Sequence, residues 1–196
     1  MFSATSQTAL KEWAVTVRAL DKGEQIILLR KGGIREEGKH FKVIYPEFLL
    51  YPTFEHQHQD LLKAAYHADL NWTEANVPSA ESIAFSQWAR VEEVIELTDQ
   101  EKVDALFDQH IWTNDYAEKR LHWKPRFPLS VMLLRVYRMG EPRTVPYLDR
   151  YGGCKSWVGL EEAVSLGDLT PVLTDEEFRS NADRVKQALN LVSGGV

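Results

Sequence analysis

The apolar positions change period several times along the chain. Trp13, Val15, Val17 and Ala19 alternate with small or polar neighbours, which predicts a strand over 13–20, preceded by a short helix over 5–11. Asp21-Lys22-Gly23-Glu24 reads as a turn in which Gly23 can take positive φ. Gln25 to Leu29 is then the return strand of a hairpin, and its unbroken apolar run suggests a central position. Phe41 to Tyr51 predicts extended segments interrupted at Pro46. Thr53 stands as an N-cap ahead of Glu55, His56 and Gln57, so a helix to about His67 is expected. Residues 68–81 read as a polar loop.

The second half carries stronger signals. Ile83, Phe85, Ala89, Val91, Ile95 and Leu97 share the face of one long strand. Thr98 to Glu101 has the spacing of a capping box and opens a helix bearing Val103, Leu106, Phe107 and His110. Thr113 caps a further short helix with Tyr116 and Arg120, ended by Pro125 and Pro128. Leu129 to Arg138 is apolar on both faces and predicts an interior strand, followed by a turn at Gly140-Glu141-Pro142. A helix is expected from Trp157 to about Leu166. Thr174 to Glu177 repeats the capping-box spacing, and Phe178, Ala182, Val185 and Leu189 form an amphipathic stripe on a C-terminal helix over about 175–192, closed by Gly194 and Gly195. That stripe docks either on the core or on a partner.

These elements predict an α+β fold: a mixed, mainly antiparallel sheet with flanking helices and a C-terminal amphipathic helix. The 196 residues, 44% of them hydrophobic, suit a single domain over 1–196, with 68–81 the weakest boundary. The single cysteine, Cys154, rules out an intrachain disulfide and a four-cysteine zinc site, and suits a reducing compartment. Met1 to Ser6 lacks the basic and apolar regions of a signal peptide, and no apolar run approaches a membrane span. A cytoplasmic location with no membrane contact is expected.

Charge sharpens the picture. The net charge is -6, unlike that of a non-specific duplex binder. The charges are nevertheless segregated. Glu92, Glu93, Glu96, Asp99, Glu101, Asp104, Asp108 and Asp115 face only Arg90 and Lys102. Lys119, Arg120, Lys124, Arg126, Arg135, Arg138, Arg143, Arg150 and Lys155 then face only Glu141 and Asp149. Either the two segments pair with each other, or the basic one is an anion site. Trp112, Tyr116, Trp123, Tyr137, Tyr147 and Trp157 interleave with it, as core or as a platform for single-stranded bases.

Candidate chemistry is sparse. Gly152, Gly153, Lys155 and Ser156, read as standing before a helix N-terminus, could hold a phosphate, although the spacing is not that of a Walker loop. The same residues could form only a tight turn. Arg30, Lys31, Gly32 and Gly33 follow a buried strand and suit either a site rim or a solvated turn. Arg120 and Lys124 complete the candidate phosphate contacts. Cys154 beside Lys155 is a candidate nucleophile and His56 a candidate polar catalytic group. Asp21 with Glu37-Gly38-Lys39 only loosely follows a nuclease metal pattern, and Glu36-Glu37 does not supply a Nudix metal helix. His56 and His58 at i, i+2 have poor ligand geometry. No metal site and no cofactor are predicted.

Several of these segments occur together in a known family. Leu10-Lys11-Glu12-Trp13, Leu28-Leu29-Arg30-Lys31-Gly32-Gly33-Ile34, Phe48-Leu49-Leu50-Tyr51-Pro52-Thr53, Glu55-His56-Gln57, His110-Ile111-Trp112-Thr113 and Gly152-Gly153-Cys154-Lys155-Ser156-Trp157 resemble the bacterial domain of unknown function 1802 family over about residues 10–165. The resemblance implies a restriction-related or DNA-related context, since some members are associated with an Mrr-type restriction endonuclease domain. It supplies no catalytic residues. The expectation is an anion- or nucleic-acid-binding module. The alternatives are an enzyme acting on a small phosphorylated or acyl substrate through Cys154 or His56, and a protein-interaction module that docks or self-associates through its C-terminal helix.

Overall fold

The computed structural model describes residues 3–31, 45–123, 126–153 and 155–191. Gly32, Gly33, the Glu37-Gly38-Lys39 pattern, Lys124, Cys154 and the closing Gly194-Gly195 lie outside them. Among the described residues, seven strands join in one sheet flanked by five α-helices. The strands are β1 (Thr5–Trp13), β2 (Ile27–Arg30), β3 (Glu47–Thr53), β4 (Ser82–Leu97), β5 (Leu129–Pro146), β6 (Trp157–Ser165) and β7 (Leu169–Pro171). The helices are α1 (Ala14–Lys22), α2 (His67–Ala75), α3 (Gln100–Ala105), α4 (Asn114–His122) and α5 (Asp175–Ala188). The strand order is β2-β5-β4-β3-β1-β6, with β7 also on β5. β1 and β3 are parallel and the other pairs antiparallel, so the sheet is mixed and mainly antiparallel as expected.

The N-terminal strand and helix exchange places relative to the sequence expectation. Residues 5–13 are extended and 14–22 helical. β1 is buried on both faces: Leu10 packs in one core cluster and Ala9 in the other, so its alternation is hidden. α1 buries Ala14, Val15, Thr16, Val17, Ala19 and Leu20, and a helix covered nearly all round loses its polar stripe. Gly23 takes φ 71 as expected, but as the left-handed C-cap of α1 rather than a hairpin turn. β2 accordingly pairs with β5 and not with β1.

Three other elements differ. Pro52 and Thr53 end β3, and short 3-10 turns at Gln59–Leu61 and Ala64–Tyr66 lead into α2, where a loop was expected. Gly140-Glu141-Pro142 does not turn the chain. Phe85 pairs with Arg143 and Gln87 with Arg138, so residues 139–142 bulge opposite Ser86 and β5 runs on to Pro146. A bulge accommodates Pro142, which has no N–H for the ladder. Residues 157–165 are strand β6, not helix; Val158 and Leu160 point inward while Gly159 and Glu161 stay exposed. That is the period of two.

The C-terminal helix forms as expected, with a complete capping box between Thr174 and Glu177. Its stripe turns inward: Val185 and Leu189 are buried in the main cluster, and Phe178 and Ala182 pack against it. The apolar face is therefore used by the protein's own core. No helix among the described residues is long and apolar enough to cross a membrane.

Candidate anion-binding site

β1 ends on a buried carboxylate. Glu12 is 6% exposed. Its side chain accepts from the Trp13 N–H at 3.0 Å and pairs with the Arg30 guanidinium at 3.0 Å. Arg30 reaches it from the end of β2 and also donates to the Lys11 carbonyl. Its Nε is buried and has no acceptor among the described residues. α1 starts beside this pair, and the Val15 N–H of its first turn donates to Gln57 Oε1 at 2.9 Å. The Gln57 amide nitrogen is likewise buried without an acceptor.

α4 brings in a second guanidinium. Arg120 lies 5.0 Å from the centre of the Tyr116 ring. Tyr116 stacks on Trp112 at 4.9 Å and packs against Trp13 at 5.6 Å. Burial pushes the Tyr116 phenol up to about 12, so it stays neutral, with Arg120, Glu12 and Arg30 all within electrostatic reach. Burial opposes the charge on Arg120, but Tyr116 and Glu12 more than offset it. Among the described residues Arg120 has no carboxylate within 4.0 Å. Among the described residues Glu12 thus acts on two guanidiniums, as the ion-pair partner of Arg30 and within electrostatic reach of Arg120. Charge buried without a full counter-charge is costly, and an anion would relieve the cost.

Lys31 is used differently. It is 2% exposed, and its ammonium donates to the Leu121 carbonyl in the last turn of α4. Those carbonyls have no partner within the helix, so Lys31 serves as a C-terminal cap. Burial lowers its pKa. Lys31 therefore ties β2 to α4, rather than offering charge outward.

The glycine segment lies against the other side of β1. The Lys11 N–H donates to the Ser156 carbonyl at 2.8 Å, and its ammonium to the Gly153 carbonyl at 3.2 Å. The Lys155 N–H also donates to the Gly153 carbonyl, at 2.9 Å, and its ammonium to the Arg150 carbonyl at 3.2 Å. Gly153 has φ 76, a conformation suited to glycine. A Cβ on Gly152 would meet the Tyr147 hydroxyl at 2.6 Å. Because a strand follows, no helix N-terminus stands here; the expected nest of helical N–H groups is corrected to a folded loop with a lysine at its rim. Lys11 joins the two motifs: Arg30 holds its carbonyl and Ser156 its N–H. The Arg30 and Lys155 segments, 125 positions apart in sequence, converge within one strand's width.

The remaining candidates lie apart. His56 is exposed in the turn after β3, at φ 62. His58 meets the edge of Trp13 at 6.5 Å. Asp21 binds Arg138 at 2.9 Å. No cluster of metal ligands occurs among the described residues. The acidic and basic segments do lie together as β4 and β5, but Arg135, Arg138 and Arg150 take carboxylates from Asp175, Asp21 and Glu161, outside the acidic segment.

The sequence reading missed Glu12 and Gln57 as site residues and offered Tyr116 only as core or as a stacking platform. For Glu12 a signal existed: once 5–13 is a strand, it falls on the face of Leu10, an acid on an apolar face.

A family model described as "Domain of unknown function (DUF1802)" matches residues 9–184. The chain belongs to this family. No curated protein matches it. The ASCH protein of Zymomonas mobilis is similar in structure: 11% identity, 90% of this chain and 93% of that one, TM-score 0.39. A serine-to-alanine variant of the same protein gives 12% identity over 93% and 98% of the chains, with a TM-score of 0.41. Agreement at that level does not align site residues.

Proposed function

We propose that the protein is a nucleic-acid-binding module that holds phosphate at the end of β1. The observation that carries this reading is the shared counter-charge: among the described residues, buried Glu12 is paired with Arg30 and within electrostatic reach of Arg120, and donors on Arg30 and Gln57 have no acceptor. Phosphate oxygens would satisfy both the charge and the donors. Lys155, with Ser156, Gly152 and Gly153, extends the contact across Lys11. A protein of net charge -6 concentrates positive potential there and repels phosphate elsewhere. The restriction-related context suggested by the family resemblance belongs to the same proposal.

The test is fluorescence anisotropy with labelled single-stranded DNA, duplex DNA and RNA at low and near-physiological salt. Arg30 is a poor probe, because its removal strands Glu12 in the interior at a cost of about 3–5 kcal/mol. Arg120→Gln and Lys155→Ala break no ion pair described here and are the variants of choice. Each is expected to weaken binding and to flatten the log–log salt slope by about 0.7–0.9. Unchanged affinity in both variants would overturn the assignment.

A further inference from the structure

We infer that the occupant is a single strand, with an unstacked base placed on Tyr45. The inference rests on the nucleic-acid reading of the same site and narrows its ligand.

Trp157 stands at the start of β6, directly after Ser156 and on the face of β1 that carries Leu10 and Glu12. Phe48 holds it edge-on at 4.9 Å and 83°. Tyr45 leans on it from outside, with ring centres 5.3 Å apart, and is 40% exposed. The Trp157 indole N–H is buried without an acceptor among the described residues. A fixed inner ring, directly after Lys155 and Ser156 in the chain, thus supports an exposed outer ring.

A second exposed ring stands at the glycine segment. Tyr147, 38% exposed, stands over Gly152, where a Cβ would come within 2.6 Å of its hydroxyl. Exposed aromatic area in water is unfavourable, and these rings adjoin the proposed phosphate contacts. Duplex DNA keeps its base faces stacked inside and offers a rim like this only phosphate and groove edges. A single strand offers both phosphate and open ring faces, and ring stacking tolerates every base.

The probe is a single-stranded oligonucleotide carrying one 2-aminopurine, compared with its duplex and with a copy holding an abasic position. The full chain and Tyr45→Ala, Tyr45→Phe and Arg120→Gln variants are titrated, with circular dichroism as the folding control. The single strand is expected to bind about tenfold tighter than the duplex, with the aminopurine signal changing on binding. Tyr45→Ala should lose about tenfold for the single strand and leave weak duplex binding unaltered, while Tyr45→Phe retains the affinity. Equal affinity for both forms, or no loss in Tyr45→Ala, overturns the single-strand inference; a persisting Arg120 effect and salt slope would then leave the nucleic-acid reading standing. Absence of all binding at low salt removes both.

Discussion

At the scale of single residues, the protein places charge where burial makes it consequential. His110 shows this outside the site. It is 2% exposed, and neither ring nitrogen makes a hydrogen bond of good geometry among the described residues. Burial first, and the Lys63 ammonium second, push its pKa down to about 3; backbone groups of Trp112 and of His110 itself recover only part of the shift. Lys63 is fixed there, donating to the carbonyls of Phe107 and His110. The folded pKa lies below the unfolded value, so the unfolded chain takes up the proton first as pH falls. The stability His110 allows is complete above about pH 6.5 and declines toward pH 3, by about 1.4 kcal/mol per pH unit. Urea titrations at pH 7 and pH 5 should therefore show an extra loss of about 2 kcal/mol that His110→Leu abolishes. An identical pH dependence in the variant would mean that the imidazole already finds a partner when charged.

At the scale of elements, legibility followed how evenly each segment is buried. β4 and α5 were readable because one face of each meets solvent. β1 and α1 were not: with both strand faces and most of the helix covered, either period fits Trp13 to Leu20. β6 was misread although its exposed Gly159 and Glu161 mark the alternation. α5 also decides between core and partner. Arg135, with its side chain 6% exposed, grips the helix start through Asp175 at 2.6 Å and the Thr174 carbonyl at 3.1 Å, beneath the Phe178 ring at 4.8 Å. Leu189, 1% exposed, anchors the far end. Leu189→Ala should cost about 2–5 kcal/mol in thermal or chemical unfolding while the protein keeps its oligomeric state. A shift in oligomeric state with little loss of stability would show instead that the stripe serves a partner.

At the scale of the whole molecule, the candidate site is a product of topology that no local pattern contains. The sequence marks Arg30, Arg120 and Lys155 as cations near plausible turns. It does not say that β2, α4 and β6 all close on the last residues of β1, because β2 leaves the expected hairpin to pair with β5. Nor does it separate Lys31, which the fold consumes as a helix cap, from Arg30 beside it. The net charge of -6 then sets how the site works. A basic protein would gain affinity from its whole surface, whereas here the gain is confined to a few cations against general repulsion. Three contacts, Arg30, Arg120 and Lys155, would release counterions from a single strand with a log–log salt slope of about -2. Anisotropy titrations across a salt series should give that shallow slope, with no steepening at the lowest salt. A slope steeper than about -6 would place many more phosphates on the protein than these three cations can hold, and would move the contact to another surface.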